Sequence, residues 1–539
     1  MANTLKFGAG QWATKEGSTL AYNDENDNYK PLPFYFTRAS SGTVVNKAGL
    51  IETVGNGIPR IDFLGNTQGA LKLEPQRTNL ITQSEAFGDS YWTKSGVTIQ
   101  GDPSTAGSEE VTNGDFATDS NWTKGTGWTI SGGKAVSNSS VGFQSLSQSN
   151  AISNSNGKTF KCNFTISGYS SGTVALYISG FINNSYFVGA NGDYEIYIMV
   201  SQGTSGNVEF LTNSSGFTGS IDNVSVKEVQ GFTSPDGTTN AYKLVEGTND
   251  GAHAFYNSTF LSLNGQSYTF SMFVKYNGRQ WFRLWGQYGN SNKSVYFDIQ
   301  NGLVGTKDSG VTGNIEDYGN GWYRISATAT TDGTSNRFRG YLAEADNDPF
   351  YQGNGTSGVY IYGAQVEQGS YPTSYIPTQG SAVTRLADSC NNGGNDQVIN
   401  STEGVLYAEI SSFKNGGIGD RTISLSDGST QNAIQLLLHN TANRINFRSR
   451  SGGSLDVNIS DFTFQQNQTN KIACKFKSGD YALWVNGEER VTSSSSSLPT
   501  GLSVLAFNDG SLNDFYGNVK DVRIYNTALT DAELQALTS

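Results

Sequence analysis

The chain has 539 residues, too many for one hydrophobic core, with 65 glycines, 12% aromatic residues and only 15% charged residues; this composition suggests three or four domains of short strands joined by tight turns. A net charge of −12 argues against a protein that grips nucleic acid, which needs a basic face, and three widely spaced cysteines give neither a disulfide framework nor a zinc spacing. The longest apolar runs, near 196–200 and 433–438, are too short to span a bilayer, and the first residues lack a cationic then apolar leader, so a soluble product made in the cytoplasm, without membrane insertion, is expected.

Residues 1–81 hold four of the ten prolines (Pro31, Pro33, Pro59, Pro75) and little hydrophobic alternation, which predicts an extended, loop-rich segment poor in helix. Such a segment buries too little alone and is expected to pack on another chain or on the next domain. A duplicated signature follows. SEAFGDSYWTKSGVTIQGD from Ser84 returns as TNGDFATDSNWTKGTGWTISGG from Thr112, aligning Phe87 with Phe116, Trp92 with Trp122 and Ile99 with Ile130. The second start closes at SIDNVSVKEV (220–229), whereas the first acquires a body only from Ser234 and closes at VYIYGAQVEQ (359–368), where Ile361 and Val366 match Ile221 and Val226. The simplest account is one module inserted in another: 109–230 inside an outer module of 82–108 plus 231–388.

Within the inner module, FKCNFTISGY, TVALYISGF and DYEIYIMV alternate with period 2; in the outer one YTFSMFVKY, WFRLWGQY, VYFDI and WYRISATAT do so between Gly, Asn and Asp turns. Strands at that spacing predict antiparallel jelly-roll sandwiches. After a polar linker (385–397) that contains Cys390, a third sandwich is predicted over 398–539, with Asn486-Gly487 as a type I′ hairpin turn. A short helix ends the chain, capped by Thr530 ahead of Asp531 and Glu533. The fold class is therefore all-β: multidomain antiparallel β-sandwiches, one nested inside another, behind an extended N-terminal segment.

Three resemblances add to this. YALWVNGEERV and GNVKDVRIYNTALTDAELQAL resemble the hairpin, closing strand and final helix of concanavalin A-like, laminin-G-like jelly rolls, over about a quarter of the chain. The stretch from NGDFATDSNWTKGTGWTI to IDNVSVKEV resembles carbohydrate-binding jelly rolls of the galactose-binding type. FTRASSGTVVNKAGLIETVGNGIPRIDF, ALKLEPQRTNLITQSEAF, GNGWYRIS and IYGAQVEQGSYPTSYIPT are similar to structural proteins of tailed-phage virions. The last resemblance implies a virion fibre, spike or decoration protein, located on the particle and docked to other virion proteins through residues 1–81. Jelly rolls of this type often carry one structural calcium ion, which directs attention to the oxygen-rich loops at Asp115, Asp119 and Asp222 and at Asp346, Asn347 and Asp348, although any Gly/Asn/Asp-rich chain contains such loops. No other cofactor is implied.

Alternation in RQWFRLWGQY puts Trp281, Arg283 and Trp285 on one face and Phe282 with Leu284 on the other. With Phe282 and Leu284 as core, the two indoles and the guanidinium form a platform on which a pyranose can stack while Arg283 donates to hydroxyls or a sugar carboxylate; the alternative is that both indoles are core. Trp92, Trp122 and Trp128 are weaker candidates, because a position shared between repeats favours packing. Arg448, in the basic strand NRINFRSRS with Arg444, Phe447 and Arg450, is a candidate contact for an anionic glycan, the alternative being a solvated edge strand. His253 and His439 are too far apart to suggest a catalytic pair, and neither an acid–base pair nor a nucleophile with its base stands out. The expected function is non-enzymatic adhesion to host-surface glycans, made useful by avidity in a homo-oligomer; the alternative is a structural decoration or head-fibre protein that binds no sugar.

Overall fold

The structure is a computed structural model and describes residues 5–15, 18–23, 30–100, 106–139, 141–153, 155, 158–179, 187–200, 206–229, 231–413, 421–439, 443–465, 468–510 and 513–539. It is built of antiparallel strands, and the one helix among the described residues is Asp531–Thr538, whose capping box pairs the Thr530 hydroxyl with the Glu533 amide and the Glu533 carboxylate with the Thr530 amide. The chain divides into two compact units: residues 98–245 with 358–362, and residues 1–97, 246–357 and 363–539.

The first unit is organised by two long strands, Lys158–Ile178 and Val208–Val229, which pair so that Phe160 lies opposite Glu228 and Ile166 opposite Ile221. The period-2 alternation is the cause: Phe160, Cys162, Phe164 and Ile166 turn to one side and enter a core with Phe210, Phe217, Ile221 and Val226. In the same unit Tyr242 pairs with Ile361 and Val245 with Gly358.

The second unit contains two sandwiches. In one, a sheet runs in the order Trp92–Ser95, Asp250–Asn257, Ser335–Ala343, Trp281–Tyr288, Ser291–Asp298, Leu303–Lys307. Facing it are Ser267–Asn277, Trp322–Thr330 and Val311–Asp317, paired in that order. Phe270 closes the space between the layers, 4.5 Å from the Tyr288 ring, and the Tyr288 hydroxyl donates to the carbonyl of Ala327 at 2.7 Å. The other is the C-terminal sandwich. One layer carries Glu403–Ser412, Asn470–Lys477, Tyr481–Val485, Glu488–Ser493 and Gly517–Tyr525, and the other Arg421–Ser426, Ala433–Leu438, Ile445–Ser451, Ser454–Asp461 and Val504–Ala506. Asn486 (φ 50°) and Gly487 (φ 84°) take the positive φ values that the type I′ turn requires.

The N-terminal segment belongs to this last sandwich. Leu5–Gly8 pairs with Gly517–Tyr525, Leu5 opposite Ile524, and Ala70–Leu73 pairs with the same strand, Leu71 opposite Val519. Leu5, Phe7, Phe34, Phe36, Leu71 and Leu73 are buried in the C-terminal core. The first strands of the segment thus find their hydrogen-bonding edge at the far end of the chain, while its later part packs on the outer module, Thr43 donating to the Tyr375 carbonyl at 2.6 Å and Asn79 to that of Ile376 at 2.8 Å. Cys390, expected in a polar linker, lies in the strand Ser389–Asn391 paired with Lys30–Thr37 and is buried in the same core.

A buried ion cluster ties these distant segments together. Arg38 donates to Asp388 at 3.0 Å; Arg60 contacts Asp388 and, at 2.6 Å, Glu74; Arg385 contacts Glu74; and the Ser374 hydroxyl lies 2.7 Å from Glu74. Burial pushes the Glu74 carboxyl up, but Arg385 and Arg60 outweigh it and hold the group well below the ordinary carboxylate range.

Candidate functional site

Strand Trp281–Tyr288 alternates as its sequence predicts: Phe282, Leu284 and Tyr288 are fully buried, whereas Trp281, Arg283 and Trp285 are half-buried on the opposite face. Glycines on the inner face make the packing possible. A Cβ at Gly286 would stand 2.5 Å from Tyr288 and 2.7 Å from Phe270, and one at Gly340 would stand 2.5 Å from Phe255.

On the outer face, register assembles a larger surface than the single strand suggests. Arg283 lies between Tyr296 and Tyr341, and Trp285 between Ser294 and Arg339, which in turn lies opposite Tyr256. The Arg283 guanidinium is enclosed by three rings, 4.7 Å from the centroid of Trp285, 5.3 Å from Tyr296 and 5.5 Å from Tyr341. Arg339 also lies over Trp285, at 4.2 Å, and Arg337 lies 5.9 Å from the Tyr256 ring. These are cation–π distances. Trp281 stands apart from the cluster: its ring edge packs on the backbone of Gly305, where a Cβ would come within 2.6 Å of it.

The face is rich in donors. Among the described residues Arg283, Arg337 and Arg339 form no ion pair, and the Nε atoms of Arg283 and Arg337 are buried without a hydrogen-bond partner. Carboxylates on the same strands and their loops are engaged by neutral donors: Asp308 accepts from the Ser294 amide at 2.7 Å, Asp346 from the Thr306 amide at 2.9 Å, and Asp298 from Gln280 and Asn301, each at 2.8 Å. Burial lowers the Arg339 guanidinium below its ordinary value, and Arg337 beside it acts in the same sense. Burial raises the phenols of Tyr296 and Tyr341, so both remain O–H donors at neutral pH.

The remaining candidates lie elsewhere. Arg448 is on the five-stranded sheet of the C-terminal sandwich, where its Nε donates to Asn458 at 3.2 Å. Its strand, Ile445–Ser451, is hydrogen-bonded on both sides, to Ala433–Leu438 and Ser454–Asp461, and so is not an edge. Trp92 and Trp122 occupy equivalent buried positions: each indole Nε1 donates to the carbonyl nine residues earlier, Gln83 at 2.9 Å and Asn113 at 3.1 Å, beside Phe87 and Phe116 respectively. Trp128 is buried against Phe217. His253 is fully buried between the carbonyls of Gly96 and Tyr351, and the backbone amide of His439 bonds to the Arg444 carbonyl.

The calcium-candidate loops do not converge. Asp119 pairs with Lys124, Asp346 is held by Thr306, and among the described residues no group of three or more His, Cys, Asp or Glu is placed to hold a metal ion. A separate cleft of about 1130 Å³ is lined by Arg77, Leu261, Leu263, Gln266 and Tyr268 among others; Arg77 there faces Glu367 at 3.8 Å and lies over Tyr371.

Residues 413–535 match the Laminin_G_3 family of the concanavalin A-like lectin/glucanases superfamily. Among curated proteins, none matches the sequence. Among solved structures, the chain is similar to the CBM40 module of the Ruminococcus gnavus IT-sialidase, at 18% identity over 28% of this chain and 94% of that one, with a TM-score of 0.24. It is also similar to the leech intramolecular trans-sialidase, at 18% identity over 28% of this chain and 26% of that one, TM-score 0.24. A third is the tandem CBM22 domain of Paenibacillus barcinonensis Xyn10C, at 10% identity over 50% of this chain and 99% of that one, TM-score 0.22.

Proposed function

We propose that this protein is a non-enzymatic glycan-binding protein, and that the outward face carrying Arg283, Trp285 and Arg339, with the buried rings of Tyr296 and Tyr341 beneath them, is its binding surface. The observation that carries the reading is an aromatic patch whose guanidinium groups lack ion-pair partners among the described residues, on the outer side of a sheet whose inner side is close-packed. The guanidinium N–H groups of this face are donors for a sugar's oxygens, and the half-buried Trp285 ring holds them in place. The non-enzymatic part rests on the sequence, in which neither an acid–base pair nor a nucleophile with its base stands out.

The proposal places the protein on the particle of a tailed phage, as a host-attachment fibre or spike assembled as a homo-oligomer, and rests for this on the sequence resemblance of 36–63, 70–87, 319–326 and 361–378. Partners on that particle would meet residues 1–81 as part of the C-terminal sandwich, where Tyr35 is exposed. A glycan array probed with the intact protein tests the reading. Binding to at least one glycan class is expected; failure to bind any, with the protein displayed multivalently, would overturn it in favour of a structural decoration protein.

A further inference from the structure

The glycan reading leaves open what kind of sugar is bound, and the chemistry of the face narrows it. Three guanidinium groups, Arg283, Arg337 and Arg339, are gathered on adjacent strands of a chain whose net charge is −12. Like charges so close repel, and a sheet surface with no use for them would place carboxylates between them. Here the carboxylates at hand, Asp298, Asp308 and Asp346, are occupied by amides and hydroxyls instead. The rings lie against Arg283 and Arg339; Arg283 Nη2 donates to the Ser294 hydroxyl at 3.3 Å and Arg339 bonds to the Tyr341 hydroxyl, and the remaining N–H groups are the donors a ligand can take. Those groups match an oxyanion with two oxygens. Trp285 fits the same assignment: with two guanidinium groups stacked on it, its ring serves to orient them rather than to offer a bare face to a neutral pyranose.

We infer that the face selects glycans bearing an oxyanion, either the carboxylate of an acidic sugar or the phosphodiester of a sugar-phosphate polymer. The inference rests on the glycan reading above and sharpens it.

The test uses the full-length protein and isothermal titration with four probes: sialyllactose, an oligogalacturonate, the same oligogalacturonate after carboxyl reduction, and a glycerol-phosphate oligomer. At least one anionic probe is expected to bind, with affinity falling as salt rises. If the carboxylate is the ligand, reduction weakens binding about tenfold or more, the loss of a charge-assisted hydrogen bond; binding to the glycerol-phosphate oligomer alone supports the inference and identifies the phosphodiester as the source. Arg283→Gln and Arg339→Gln should each weaken binding by about the same factor while the melting temperature stays near that of the parent. Should either variant fail to fold, the comparison of acid and reduced probes on the parent protein decides alone. Equal affinity for the acid and reduced probes would overturn the inference and leave the glycan reading standing. Wild-type affinity in both folded variants would also overturn it. No binding to any of the four probes would overturn the inference, whereas the glycan reading itself fails only if the array also shows no binding.

Discussion

Asp388→Ala should be among the most damaging single substitutions in the C-terminal sandwich. The Asp388 carboxylate is fully buried and accepts from Arg38 at 3.0 Å, from Arg60, and from the backbone amide of Glu74 at 2.8 Å. Alanine removes the acceptor of all three bonds and leaves the guanidinium groups of Arg38, Arg60 and Arg385 with Glu74 as the one carboxylate of the cluster. Breaking a buried ion pair by deleting one partner costs about 3–5 kcal/mol, and an orphaned buried amide adds about 1 kcal/mol or more. A loss of about 4–6 kcal/mol follows, comparable with the entire stability of many domains, about 5–15 kcal/mol. Urea unfolding followed by tryptophan fluorescence reads it through Trp484, which belongs to this sandwich. Asp388→Asn, which keeps one acceptor oxygen, should lose clearly less. A loss below about 1 kcal/mol in the alanine variant would refute the reasoning, since it would mean that the cluster is solvated or that the arginines find other acceptors.

The same cluster sets an acid limit: because the folded-state carboxyl of Glu74 is held below its unfolded value by Arg385 and Arg60 against the effect of burial, its contribution is fully present above the unfolded value of about 4.3 and is lost as pH falls through the folded value. Melting temperatures measured from pH 7 to pH 3 should fall steeply only below about pH 4, and Glu74→Gln, less stable at neutral pH, should show a flatter acid limb. A chain lacking residues 1–81 should not form a stable C-terminal sandwich, because Leu5, Phe7, Phe34, Phe36, Leu71 and Leu73 leave its core; limited proteolysis that left 398–539 intact would contradict this. Gly340→Ala should cost about 1–3 kcal/mol, the range for overpacking a core, since its Cβ would meet Phe255 at 2.5 Å and Phe282 at 2.7 Å; thermal denaturation within 1 °C of the parent would contradict the packing described.

Much of this was legible in the sequence, and what was hidden has one cause. Period-2 alternation sorted Phe282 and Leu284 from Trp281, Arg283 and Trp285 because side-chain direction in a strand is a local property. The paired signatures placed Trp92 and Trp122 in equivalent structural roles for the same reason. Register is not local. The alternation Arg337, Arg339, Tyr341 in SNRFRGYLA carried a period-2 signal as clear as that of WFRLW, yet nothing in either segment says that the two strands are neighbours or that Arg283 falls opposite Tyr341. The pairing of Leu5–Gly8 with Gly517–Tyr525 is the extreme case, a contact across almost the whole chain that turns a proline-rich stretch without a core of its own into part of another core. Basic residues around Arg448 suggested an edge strand, but charge alone does not distinguish an edge from an inner strand with one solvated face.

The central claim, that a glycan sits on the face built around Arg283 and Trp285, is tested most directly by ¹⁹F NMR of the protein labelled with 5-fluorotryptophan. Its eight tryptophan resonances can be assigned by single Trp→Phe substitutions and followed during titration with the tightest ligand from the array. The account predicts that the Trp285 resonance shifts with ligand concentration while those of the buried Trp92, Trp122 and Trp128 stay in place. A saturable titration that leaves Trp285 unmoved and shifts a tryptophan elsewhere in the chain would contradict it.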